Sequence, residues 1–256
     1  MRDTRAREFY EHYQTTGPAA APQARSEESG LRRFISTFEL EKRRVLEIGS
    51  SRAAFQHLAA GWIGIDLAVA ASRHAVRPFA AASAEALPFA SGSFDGAWSI
   101  AVLEHVPNPE RALDELGRVL KPGGVAYLAP AWHCRPWAAE GLQVRAFADL
   151  TWRQRLVKLG LPLRELLLFR ALCALPVRLA RELRYLLARR RPMRLRFGRL
   201  RPNYETFWCA DADACTVLDP HETLLFFLSR GWTSPSHPDW AARLLARHGA
   251  IVVRKP

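Results

Sequence analysis

The chain has 256 residues, a length that suits one large domain or a domain with an insert, and 49% of its residues are hydrophobic, enough for a sizeable core. The charged N-terminus lacks the apolar stretch of a secretory signal, and no run reaches the roughly 18 uncharged apolar residues of a membrane span; secreted and membrane-spanning classes are therefore not expected. The net charge is +12, and residues 151–201 hold the excess, with 15 Lys and Arg against 2 Asp and Glu, so that segment should carry whatever the basic surface binds.

In chain order, residues 1–15 look helical, with Phe9, Tyr10 and Tyr13 as packing residues, and residues 16–25, with Gly17, Pro18 and Pro22, read as a mobile linker. Leu31, Phe34, Ile35 and Phe38 recur at helical spacing and lead into a strand at 45–48 that ends at Gly49. A helix is expected over 53–60, strands over 62–66, 79–82 and 94–100, and a helix starting at Asn108-Pro109, with Asn as N-cap and Pro in the first turn. That helix should stop at Lys121-Pro122-Gly123-Gly124 on a left-handed glycine, before a strand at 125–129. Strands alternating with helices at this rhythm predict a parallel sheet with helices on both faces. After Pro130 the rhythm breaks until a helix at 221–230 and a last strand at 250–254, so the stretch between reads as an insertion.

Ligands of open α/β sheets bind beyond the carboxyl ends of the strands. Three such ends carry suitable residues: Gly49, where backbone can approach a ligand closely; Asp66, a carboxylate able to accept two ribose hydroxyls, or else a turn aspartate; and Ser83-Ala84-Glu85, able to read an adenine edge, or else an exposed loop. The ordered series Val45-Leu46-Glu47-Ile48-Gly49, Gly64-Ile65-Asp66-Leu67, Ala84-Glu85-Ala86-Leu87-Pro88-Phe89, Ser93-Phe94-Asp95, Leu103-Glu104-His105-Val106 and Leu120-Lys121-Pro122-Gly123-Gly124 resembles the class I methyltransferase family over residues 40–130, with a weaker echo at 219–256.

The resemblance implies a doubly wound, mostly parallel α/β sheet of seven strands, the last antiparallel, a Rossmann-like methyltransferase fold with a helical insertion after strand five. It implies S-adenosyl-L-methionine as cofactor. Glu47 would order the glycine loop, Gly49, Ser50 and Ser51 would line the methionine end, Asp66 would hold the ribose, Ala84 and Glu85 would meet the adenine, and Ser99 and Ile100 would border the methyl path. The family's loop has glycines at alternate positions; here it runs Gly49-Ser50-Ser51-Arg52-Ala53, so only the first is present. The resulting division is 1–40 as an N-terminal helical lid and linker, 41–132 as the cofactor-binding half, 133–215 as a basic helical insertion facing substrate or membrane, and 216–256 as the C-terminal part of the domain.

His105 follows strand four, where acceptor and methyl should meet, and an imidazole suits proton removal from a hydroxyl near neutral pH; the alternative is a histidine that shapes the loop. The acidic run holding Asp211 and Asp213, followed by Asp219 and His221, is a candidate substrate-facing loop, with Asp211, Asp213 and His221 offering polar groups to hydroxyls; its spacing closes no metal-ligand set. The four cysteines, Cys134, Cys173, Cys209 and Cys215, form no CxxC pair and fit reduced thiols in a cytoplasmic protein.

In the basic segment, Pro162 and Pro176 sit where helices can begin, and residues 163–175 read as one nearly apolar helix. On a wheel from Pro176, Leu179, Ala180, Leu183, Leu186 and Leu187 share one face, while Arg178, Arg181, Arg184 and Arg189 lie on the other. Either the leucines are core and the helices cover the substrate cleft, or residues 162–201 meet an anionic membrane surface, with Arg189, Arg190, Arg191, Arg194, Arg196, Arg199 and Arg201 on headgroups. The expected partner is a glycan, lipid-linked or other small amphiphilic acceptor, methylated on oxygen or else nitrogen, in a cytoplasmic protein that is soluble or peripheral on the inner membrane face. An RNA methyltransferase is the rival enzyme reading, though the arginines alternate with leucine rather than stacking aromatics, so nucleic acid is not the expected partner. A non-catalytic scaffold with a degraded cofactor loop is the rival outside enzymes.

Overall fold

The computed structural model describes residues 2–16, 22–187 and 191–256. Five parallel strands form the body of one sheet: β1 (Arg44–Ile48), β2 (Gly61–Asp66), β3 (Phe79–Ala81), β4 (Phe94–Ile100) and β5 (Leu120–Ala129). The last strand, β8 (Ile251–Arg254), pairs antiparallel with β5, so the spatial order is β3-β2-β1-β4-β5-β8. The central strands are apolar runs buried on both faces, as expected of parallel pairing with both sides covered.

The sheet has six strands rather than the seven expected. Beyond β8, Thr233 makes only a single antiparallel bridge to Arg254. The ladder cannot extend because Pro235 follows two residues later and has no N–H to donate.

One face of the sheet packs on α3 (Pro109–Val119) and α6 (Pro220–Leu228), around Leu46, Ile48, Leu113, Leu116, Leu128 and Phe227. Asn108 caps α3 by accepting from the Arg111 amide, and Pro109 needs no donor at the first turn, as the sequence predicts. The helix ends at Val119, earlier than expected, because Leu120 already pairs with Phe94; the left-handed Gly123 (φ +75°) serves a register shift in β5, not the helix end.

The other face is covered from the N-terminus. Helix α2 (Pro22–Thr37) lays Leu31, Phe34 and Ile35 on Val45, Trp98 and Tyr127. It begins at Pro22, inside the expected linker, since proline is tolerated in a first turn; Gly17 and Pro18 lie outside the described residues. Gly30 lets α2 approach the sheet: a Cβ there would lie 2.6 Å from the Tyr127 hydroxyl, which donates to Glu27. The helix expected over 53–60 is absent. Ser51 and Ala53 adopt left-handed backbone, which leaves too few residues to nucleate an α-helix, and a 3-10 turn at Gln56–Leu58 forms instead.

Between β5 and α6 the chain forms α4 (Trp152–Glu165), α5 (Leu167–Leu187) and a two-stranded pair, β6 (Gly198–Arg199) with β7 (Thr216–Val217). Pro162 and Pro176 lie inside these helices rather than at their starts. The start signal of α4 is the Thr151–Gln154 capping box, and the break between the two helices falls at Leu166, where the backbone turns extended. The six-residue α7 (Trp240–Leu245), capped by Asp239, packs on α5 and α6.

The wheel of α5 has the faces that the sequence predicts, but the opposite one points inward. Arg178 and Arg181 are buried, while Leu179, Leu183, Leu186 and Leu187 are at least half exposed. Partners distant in sequence decide this. Arg178 donates to Asp219 at 2.8 Å and to the Leu244 carbonyl at 2.7 Å, and Arg181 forks onto Glu222 at 2.7 and 2.9 Å. Glu182 accepts from Arg243 at 3.1 Å and lies 3.2 Å from His221 Nε2. Of the two alternatives, the one in which these leucines are core is thus overturned. Arg189 and Arg190 lie outside the described residues.

Candidate active site

The site lies at the carboxyl ends of β1, β2 and β4. Three alternate positions after β1 take left-handed backbone: Gly49 (φ +75°), Ser51 (φ +45°) and Ala53 (φ +53°). The looping pattern of an alternate-glycine motif therefore persists where two of its glycines are replaced, at a strain on the order of 1–2 kcal/mol per non-glycine residue. Such strain persists where the surroundings enforce it. At Gly49 only glycine fits, since a Cβ there would lie 2.1 Å from a Val102 methyl. Ser51 is held by Asp66, whose Oδ2 accepts from the Ser51 amide at 2.9 Å.

Asp66 Oδ1 accepts from the Ala68 amide at 2.9 Å, so the carboxylate faces the loops at the strand tips. Burial raises its pKa, partly offset by these amides. The hydroxyls of Ser50 and Ser99 are buried and have no protein partner, orphaned polar atoms beside the same strand ends. A left-handed cradle, an acid at the tip of β2 and two unsatisfied hydroxyls fit the residue set that an adenosyl amino acid needs. Ile100 and Ala84 are buried, and a left-handed Ala101 (φ +53°) turns the chain from β4 toward His105.

Two expected cofactor residues are otherwise engaged. Glu47 is fully enclosed and accepts from the Trp62 indole at 2.7 Å; burial pushes its pKa up to about 8. Its carboxyl lies within the Trp62–Trp98 core and makes no hydrogen bond to the glycine loop. The Glu85 carboxylate accepts from the Asn108 amide at 2.9 Å, bracing the start of α3.

His105 sits in a 3-10 turn after β4 with acidic neighbours. Its Nδ1 is shut from solvent, 3.3 Å from Asp213 Oδ2 but not aligned for a hydrogen bond, and its Nε2 is 3.8 Å from Glu104 Oε1. Burial depresses the imidazole pKa, and the Asp213 and Glu104 carboxylates outweigh it, so the net shift is upward. Asp213 Oδ2 also accepts from the Tyr10 hydroxyl at 2.9 Å. Asp211 is left-handed (φ +65°) and partly exposed, its pKa raised by burial. His221, by contrast, is fully buried under α5 against Glu182, and is not placed to meet a substrate. Among the described residues no His, Cys, Asp and Glu group is arranged to hold a metal ion.

The first helix, α1 (Arg2–Thr16), ties these parts together. Tyr10 reaches Asp213, Gln14 donates to the Ser51 hydroxyl at 3.0 Å, and Glu11 accepts from the Ala70 amide at 2.8 Å. Tyr10 and Gln14 are one helical turn apart and share a face, which is the signal the sequence offers for this helix. Glu104, which accepts from the Ala131 amide at 2.9 Å and has a second buried oxygen unpaired, is the other site-lining residue that the sequence does not single out.

Residues 46–128 match the family model described as a methyltransferase domain. With the strand order and the β1–β2 tip geometry above, this segment is similar to the class I S-adenosylmethionine-dependent methyltransferase family. The chain is 35% identical over 96 residues to an uncharacterized methyltransferase of Mycobacterium sp. (strain JLS), covering 34% of this chain and 38% of that protein. It is 38% identical over 98 residues to another from Mycobacterium marinum (strain ATCC BAA-535 / M), with the same shares. The chain thus matches these curated relatives over 38% of their length. It is also similar to the solved YcgJ protein of Bacillus subtilis, at 31% identity over 41% of this chain and 50% of that one, with a TM-score of 0.36.

Proposed function

We propose that the protein transfers the methyl group of S-adenosylmethionine to a hydroxyl oxygen presented beside His105. The observation that supports this most is the left-handed backbone at 49, 51 and 53, kept at two residues where it is unfavourable, around the Asp66 carboxylate. When bound, the cofactor supplies an electrophilic methyl on a sulfonium, already a good leaving group. Gly49, Ser50, Ser51 and Ser99 would hold its amino-acid end and Asp66 its ribose.

The protein's own part is positioning and one proton. Asp213, itself fixed by Tyr10, faces Nδ1 of His105 and leaves Nε2 to take the proton of the attacking hydroxyl. Bound S-adenosylmethionine would supply the methyl carbon to the acceptor oxygen and would keep the electron pair of its sulfur–carbon bond. Much of the rate comes from in-line placement. The acceptor class supported by the half-buried Asp211 carboxyl and the cationic composition of residues 151–201 is a glycan or lipid-linked hydroxyl compound.

Titration calorimetry with S-adenosylhomocysteine tests the reading. Binding that falls at least about tenfold in Asp66→Ala, about 1.4 kcal/mol, is expected. No heat at millimolar ligand would instead mean a scaffold that kept the fold and lost the cofactor.

A further inference from the structure

We infer that the leucine face of α4 and α5 docks on the surface of an anionic lipid bilayer. Leu159 and Leu163 of α4 and Leu179, Leu183, Leu186 and Leu187 of α5 are 50–71% exposed. Within each helix they recur at spacings of three, four or seven, so they line one stripe. Scattered exposed leucines are ordinary, but stripes on two consecutive helices mark an interaction surface.

The orientation is fixed by charge. Arg178, Arg181 and Glu182 of α5 are buried and ion-paired to Asp219, Glu222 and Arg243. Rolling α5 to hide its leucines would carry these side chains away from their partners and leave Glu222 buried without its guanidinium, which costs several kcal/mol. The helix is therefore locked with its apolar side outward.

The choice of occupant follows from the charge of the segment that carries that face. Residues 151–201 hold 15 basic and 2 acidic side chains, and one of those acids, Glu182, is turned inward. Arg184, Arg191, Arg194 and Arg196 are exposed. A second copy of the same face would bring these cations against each other, whereas anionic headgroups answer the charge as acyl chains answer the leucines. Trp152, 67% exposed at the start of α4, is of the type that settles at the headgroup boundary. Among the described residues no helix is long and apolar enough to cross a membrane, so the contact is with the surface.

The test reads binding alone and is independent of methyl transfer. The full chain is sedimented with vesicles of phosphatidylcholine, with or without phosphatidylglycerol. Expected is binding to the anionic vesicles at least about tenfold tighter than to phosphatidylcholine alone, weakening as salt rises. The Leu183→Ser/Leu186→Ser double variant, changed only at exposed positions and checked for an unaltered melting temperature, should lose at least about tenfold. If it folds poorly, Arg184→Glu/Arg191→Glu replaces it, with the same loss expected. Equal binding to both vesicle types, or variants that bind as the parent does, would overturn the inference. So would a dimer in sedimentation equilibrium that the leucine variant dissolves, since the occupant would then be a second copy.

Discussion

The amide of Ser51 donates to Asp66 Oδ2 at 2.9 Å, so the loop after β1 and the tip of β2 form one unit. The left-handed turn at Ser51 is the geometry that lets this bond form, and the same residue bonds Gln14 of α1 through its hydroxyl. The proposed cofactor cradle and the N-terminal helix therefore share a residue.

Substitutions at Ser51 should separate strain from contact. Ser51→Gly relieves about 1–2 kcal/mol of left-handed strain and loses a side-chain bond of about 1 kcal/mol. Its midpoint in urea should stay near the parent's. Ser51→Val, β-branched at a positive φ, should lower the midpoint clearly and weaken S-adenosylhomocysteine binding in calorimetry. Equal effects of the two variants would mean the backbone conformation is not what matters.

His105 should set a pH limb. Because Asp213 and Glu104 outweigh burial and hold its pKa above the ordinary 6.5, the neutral base becomes available only above that value, and the methyl-transfer rate should rise with pH through a limb on the alkaline side of it. Asp213→Asn removes the largest charge that raises the pKa, so the limb should move to lower pH. His105→Asn should flatten it. A limb that stays put in Asp213→Asn would remove Asp213 as the positioning residue.

Glu47 makes stability depend on pH. Its folded pKa of about 8 lies above the ordinary 4.5, so between those values the folded state holds a proton that the unfolded state has released. The stabilisation is complete below 4.5 and is lost as pH rises through about 8, at up to about 1.4 kcal/mol per pH unit. Glu47→Gln keeps an oxygen for the Trp62 indole and removes the titration. Parent and variant denaturation curves should diverge in the variant's favour between pH 5 and pH 8; parallel curves would exclude the carboxyl as the source.

The Arg181–Glu222 pair should show the cost of a stranded charge. Glu222→Ala leaves a guanidinium buried without its partner and should cost about 3–5 kcal/mol in chemical denaturation. The double variant Arg181→Met/Glu222→Leu should recover most of that. Failure of the double variant to recover would mean that Glu222 acts through something other than Arg181.

The sheet was legible because its strands are unbroken apolar runs bounded by turn residues, which local pattern captures. The cap at Asn108 and the register around Gly49, Asp66 and Ser99 were legible for the same reason. What local pattern cannot carry is the choice between two faces. The α5 wheel separates leucine from arginine correctly, but Asp219, Glu222 and Arg243, more than 35 residues downstream, decide which side is interior. Glu47 and Glu85 stand at motif positions, yet Trp62 and Asn108 take their carboxylates. Pro162 and Pro176 look like helix starts until the capping box at Thr151 sets the first turn earlier.

The thin cover over Trp62 and Trp98 has a practical consequence for anyone dividing the gene. With no long helix after β1, that side of the sheet is roofed by Leu31, Phe34 and Ile35, which lie ahead of the family-matched segment 46–128. A fragment trimmed to that segment would carry two bared indoles and a buried-type carboxyl into water and should aggregate. Leu31, Phe34 and Ile35 are masonry for this fold, and any minimal expression boundary belongs before the helix that carries them.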